Sequence, residues 1–228
     1  MDISANLNTI HQRIEQACSR CGRDPHQVEL IAVSKKKPAE LIAQAAQAGQ
    51  RVFGESYVQE YVDKQQQLST DIRWHFIGAL QTNKVKYLHG STELIHSVDR
   101  LSLAKEIDKQ WRKIDKVANI LIQVNIGNEA SKAGVTPDAA ETLIRAVAGL
   151  PNVHIQGLMA LPPYADDVEQ VRPWFRQLRQ LAQNIDKLNL PQISMSTLSM
   201  GMSHDFEVAI EEGATLVRIG TAIFGERE

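Results

Sequence analysis

Eight short apolar runs alternate with helical segments from one end of the chain to the other, and that alternation restricts the fold more than any other feature. The runs are residues 30–35, 51–54, 74–78, 94–98, 117–125, 153–158, 193–198 and 216–219. Each is followed by a stretch with helical spacing, at about 39–48, 57–68, 82–88, 102–113, 137–149, 168–188, 203–212 and 220–224. Strands that alternate with helices pair in parallel, and eight such units in roughly 220 residues match a closed (β/α)8 TIM barrel. An amphipathic segment at the front (Ile3, Leu7, Ile10, Ile14, Ala17) adds one helix. An open, doubly wound sheet is the alternative. No linker rich in Pro, Gly or Ser divides the chain, so residues 1–228 are expected to form one domain.

Punctuation supports these bounds. Pro137 suits the first position of a helix, Pro173 is expected to split the first turn from the helix that follows it, and Ser203 is a candidate N-cap. Hydrophobic residues make up 43% of 228, enough to fill a core. The 25 basic and 27 acidic residues leave a formal charge of -2 without a dense basic block, which argues against nucleic acid as a partner. The amphipathic start reads as neither signal peptide nor membrane span, so a cytoplasmic protein is expected. Cys18 and Cys21 form a C-x-x-C, but it closes a helix and has no second pair, which favours a structural role over redox or metal chemistry.

Chemistry is expected where strands end, because ligands bind a parallel barrel at the carboxyl face of its strands. The first run carries a lysine to that face. Alternation puts Ile31, Val33 and Lys35 on one side, so Lys35 would point into the barrel mouth, with Lys37 next on the same side. An amine held against apolar neighbours loses solvation as a cation and becomes a nucleophile toward aldehydes. Glycines follow the seventh run, in Ser199-Met200-Gly201-Met202-Ser203, and the eighth, in Gly220-Thr221. Barrels commonly hold a phosphate at these two loops. Arg218 shares parity with Leu216 and Gly220 and needs an acceptor, either on a ligand or in a structural ion pair. His75, between Trp74 and Phe76, reads as a hydrogen-bonded core histidine. Lysine, phosphate loops and arginine together suit pyridoxal 5'-phosphate: aldehyde to Lys35, phosphate to the glycines, ring nitrogen to Arg218.

Several motifs carry a resemblance across nearly the whole chain: Val33-Ser34-Lys35, Phe53-Gly54-Glu55, His75-Phe76-Ile77-Gly78, Gly157-Leu158-Met159-Ala160, Leu198 to Ser203, and Val217 to Gly225. They closely resemble the pyridoxal phosphate homeostasis protein family. The resemblance implies a barrel like the N-terminal domain of alanine racemase and a Schiff base on Lys35, which parity did not separate from Lys37. It also implies phosphate contacts at Ser199, Gly201, Met202, Gly220 and Thr221, with Arg218 at the ring nitrogen. Ser56 departs from the family's usual asparagine, which puts any contact there in doubt. Lys132 matches another family lysine, expected to affect cofactor loading or transfer.

Two functions compete. The family implies a non-catalytic carrier that holds pyridoxal phosphate in the cell and passes it to apo-enzymes that depend on it; a monomer is expected. The rival is an amino-acid racemase, which needs a second acid or base on the far face of the cofactor, and the residues run out at Glu228 directly after the eighth unit. A cofactor-free Schiff-base aldolase is a third reading.

Overall fold

In the computed structural model, which describes residues 2–68, 71–129 and 131–226, eight parallel strands close into a barrel. They are β1 (Glu29–Val33), β2 (Val52–Glu55), β3 (Arg73–Phe76), β4 (Thr92–Val98), β5 (Ala118–Val124), β6 (Val153–Ala160), β7 (Ile193–Met202) and β8 (Leu216–Ile219). Each pairs with its sequence neighbours, and β8 returns to β1 with Leu216 beside Glu29 and Arg218 beside Ile31. The alternation of side chains then separates two cores. Ile31, Val52, Leu94, Leu121, Met159 and Leu216 fill the barrel interior. Leu30, Ala32, Phe53, Trp74 and Phe76 point outward into the larger core under the helices.

The first helix, α1 (Ile3–Cys21), buries Ile3, Leu7, Ile10, Ile14, Ala17 and Cys18, the stripe expected of an amphipathic helix. It ends where Gly22, at φ +69°, closes its amide back onto the Cys18 and Ser19 carbonyls. Cys18 and Cys21 are both free and lie on that last turn, and burial pushes the Cys18 thiol up, away from reactive thiolate. The ring continues with α2 (Ala39–Gln47), α3 (Val58–Gln67), α4 (Leu101–Arg112), α5 (Pro137–Val147), α6 (Arg172–Asp186), α7 (Phe206–Glu211) and α8 (Thr221–Phe224). Because α7 and α8 are short, α1 packs against them and against α2, covering the outside of the barrel where β8 meets β1. Arg13 anchors it, ion-paired to Glu207 at 2.7 Å and lying 4.6 Å over the Phe206 ring.

After β3 the expected helix is a three-ten helix (Thr82–Tyr87). Three local expectations change. The seventh strand runs on through the glycine-containing stretch to Met202, which had been expected to be a loop after residue 198. Asp205, and not Ser203, stands at the N-cap of α7, and its carboxylate accepts the Met202 amide at 2.7 Å. The first strand stops at Val33, so Lys35 sits on the turn beyond it. Pro173 behaves as expected: a three-ten turn (Val168–Val171) precedes α6, which has proline in its first turn.

Candidate functional site

The turn that carries Lys35 is fixed from both sides. Ser34 donates its hydroxyl to Glu55 at 2.7 Å, while its carbonyl accepts from Lys64 Nζ at 2.8 Å. Lys36 adopts the left-handed conformation at φ +59° and donates its amide to Glu60 at 2.7 Å. Lys64 closes the arrangement by binding Glu55 at 2.6 Å and Glu60 at 3.0 Å. Glu55 is fully buried, and burial raises its carboxyl above the usual range against the opposing pull of Lys64. A buried ion pair spanning β2 and α3 therefore holds the residues before and after Lys35, which is itself half-buried.

Lys35 borders a cavity of about 290 Å³ at the carboxyl ends of the strands, close to the lower bound of about 300 Å³ usual for small-molecule sites. Its wall also includes Val33 at the end of β1 and Lys37 beyond it, Ser56 after β2, Ile77 after β3, Leu161 and Tyr164 after β6, Met202 at the end of β7 with Ser203 and His204 beyond it, Arg218 in β8, and Gly220 and Thr221 after it. Of the residues expected at the site, Lys35, Met202, Arg218, Gly220 and Thr221 line this cavity. Ser199 and Gly201 do not. Ser199 is fully buried, its side chain inside the barrel. Gly201, at φ +88°, turns the strand against α7, where a Cβ would lie 2.6 Å from Ala209 Cβ. Lys132 lies away from the wall, ion-paired to Glu129 and donating to the Pro162 carbonyl at 3.0 Å.

Arg218 is 4% exposed, and its partners are neutral: Nη1 donates to Ser199 Oγ and Nη2 to the Ala160 carbonyl at 2.9 Å. No described carboxylate forms an ion pair with it, so the structural salt bridge considered as an alternative is not formed. Desolvation lowers its pKa to about 10, with Asp205 pulling the other way, which leaves the guanidinium charged at neutral pH. Behind Ser199 stands His96, which bonds the serine oxygen at 2.9 Å and His75 at 3.1 Å. Burial drives His75 down to about 4 and His96 well below its ordinary value, so both imidazoles are neutral. His75 is thus the buried histidine expected, bonded to a partner that sequence reasoning missed. His96 sits in an unremarkable apolar strand, and its only sequence signal was parity: it lies two residues beyond Leu94 on the inward face.

A closed parallel barrel whose rim cavity combines a lysine with a buried arginine that has no ion-pair partner among the described residues belongs to the class of barrels whose site suits a small anionic ligand beside an amine. The family described as alanine racemase, N-terminal domain, matches residues 5–228. A pyridoxal phosphate homeostasis protein of Aquifex aeolicus is 48% identical over the full length of both chains. Its namesake in Escherichia coli K12 is 46% identical over 100% of this chain and 97% of the other. The structure of PipY from Synechococcus elongatus with pyridoxal phosphate bound superposes with a TM-score of 0.81 at 36% identity, covering 93% of this chain and all of that one. An alanine racemase of Clostridium difficile shares the fold, with a TM-score of 0.78 at 13% identity over 99% of this chain and 56% of its own. This chain belongs to the pyridoxal phosphate homeostasis protein family, within the alanine racemase N-terminal domain group.

Proposed function

We propose that the protein binds pyridoxal 5'-phosphate at Lys35 and acts as its carrier or buffer, without catalytic turnover. The observation that carries the reading is Arg218: a guanidinium taken out of water with neutral partners favours an anionic or electron-rich ligand, and Lys35 borders the same cavity. The donor set fits the cofactor. Bound there, pyridoxal phosphate would supply an aldehyde that condenses with a lysine amine. Lys35 provides that amine on a turn whose neighbours are held by the Glu55–Lys64 pair. Arg218 would hold the ring-nitrogen end of the cofactor, and a guanidinium that stays protonated at neutral pH would leave that nitrogen without a proton. Gly220, Thr221 and Met202 line the part of the wall assigned to phosphate. Ser199 and Gly201 do not line the cavity; they lie in β7, Ser199 with its side chain inside the barrel and Gly201 against α7, and so place Met202 at the wall.

Carriage rather than turnover is supported by the relatives. Those matching end to end are named homeostasis proteins, while the racemase likeness, at 13% identity, concerns the fold. The test mixes the protein loaded with pyridoxal phosphate with an apo-enzyme that requires it, and in parallel assays racemisation of a panel of amino acids. Transfer without racemisation is expected; racemisation at enzyme-like rates would favour the racemase instead.

A further inference from the structure

Inside the barrel, below the rim cavity, runs a chain of four side chains: Arg218, Ser199, His96 and His75. Of the two directions their hydrogens can take, one gives the Ser199 proton an acceptor, His96 Nδ1; the reverse leaves it none among the described residues. A guanidinium has no acceptor, so Arg218 donates to Ser199 Oγ, and the serine proton turns toward His96 Nδ1. His96 therefore carries its proton on Nε2 and donates it to His75 Nδ1. His75 in turn carries its proton on Nε2, a buried atom with no hydrogen-bond partner among the described residues. His75 also lines a cavity of about 140 Å³ at the opposite, amino-terminal end of the barrel. An arginine at the ligand is thus connected to the barrel floor by hydrogen bonds that all point the same way.

We propose that His96 is a positioning residue for Arg218, acting through the Ser199 hydroxyl and backed by His75. It does not line the cavity. Its work is to accept the serine proton, which fixes the orientation of the Ser199 hydroxyl and so of its lone pairs, and through them the guanidinium plane of Arg218. The polarity matters more than the bulk. A protonated or reversed imidazole would present a donor to Ser199, and the hydroxyl, accepting from two donors, would be left with no acceptor for its own proton among the described residues. Lying across the interior at 5.1 Å between ring centroids, the two histidines hold each other in this arrangement. The inference rests on the cofactor reading, since the ligand end of the chain is the pyridoxal phosphate ring.

The test has two arms. NMR of ring nitrogens in the unliganded protein is expected to show Nε2–H tautomers for both His96 and His75; an Nδ1–H tautomer at His96 would overturn the proposal. In the second arm, His96→Phe removes the acceptor and His96→Gln retains both an acceptor and a donor. His96→Phe is expected to bind pyridoxal phosphate about tenfold more weakly and to shift the visible absorption of the bound cofactor, as loss of one buried hydrogen bond that orients the partner of Arg218 predicts. His96→Gln should restore both. If His96→Phe does not fold, Ser199→Ala breaks the same chain by removing one oxygen and carries the same expectation. Unchanged affinity and spectrum in the broken variants, with normal loading of the wild type, would overturn the proposal alone. A wild type that takes up no pyridoxal phosphate would overturn the cofactor reading and the proposal with it.

Discussion

A methyl group on Gly201 would sit 2.6 Å from Ala209 Cβ and 2.9 Å from Phe206 Cα, on a backbone already at φ +88°. One of those atoms belongs to the main chain of α7, so relief requires the helix to move. Gly201→Ala is therefore expected to cost about 1–3 kcal/mol from overpacking and strain, and to lower the Tm by several degrees in a thermal melt. The same displacement would carry Met202 and the adjoining cavity wall with it. Arg218 is a residue of the opposite kind, where the backbone is ordinary and the chemistry is not. Arg218→Met is close in length but has no donors, leaving Ser199 Oγ without its donor partner. Affinity for pyridoxal phosphate, measured by absorbance titration, should fall about 10- to 100-fold, corresponding to about 1.5–3 kcal/mol for a hydrogen bond to a charged group.

Among the elements, β2 and α3 exist in part to hold the end of β1. Glu55 at the end of β2 and Lys64 on α3 are 0% and 6% exposed, so neither charge has water to fall back on. Lys64→Met should leave Glu55 buried and unpaired, at a cost of about 3–5 kcal/mol in urea unfolding, and should loosen the turn bearing Lys35. Glu55→Gln with Lys64→Met, which removes both charges, should recover much of that loss. This clamp was not legible in the sequence. Phe53-Gly54-Glu55 stood out as a motif, yet its partner Lys64 lies nine residues on, in a helix whose inward face depends on packing. The strand order and the two faces of β1 were legible because apolar spacing dictates them. The end of β7 was not, since glycine and serine in the stretch from Ser199 to Ser203 suggest a turn, whereas pairing with β8, with Ser199 beside Leu216 and Met202 beside Arg218, keeps it extended. The cap of α7, at Asp205 in place of Ser203, was not legible for a similar reason: which polar residue caps a helix depends on where the chain is bent by its neighbours. His96 escaped because contacts across a barrel join residues far apart in sequence, here 103 positions from His96 to Ser199.

For the whole molecule, the buried histidines make stability depend on pH. His75 falls from 6.5 to about 4 on folding, so between these values the unfolded chain binds a proton that the native protein does not. Its contribution is complete above about pH 6.5 and is lost as the pH falls toward 4, with about 2 kcal/mol gone by pH 5. His96 acts in the same direction. Glu55 and Asp205, both raised by burial, act oppositely and return some stability as the pH drops through their folded values. Urea unfolding from pH 7 to 5 should show the loss in the wild type and a flatter profile in His75→Gln, which has no proton to take up. The barrel carries this internal polar chain so that a charged arginine can stand at its mouth, and the mouth matters because of one amine. Peptide mapping by mass spectrometry, after loading with pyridoxal phosphate and borohydride reduction, tests that assignment most directly. The cofactor is predicted on Lys35 and absent from the Lys35→Ala variant; attachment at Lys37 or Lys132, or no attachment at all, would contradict it.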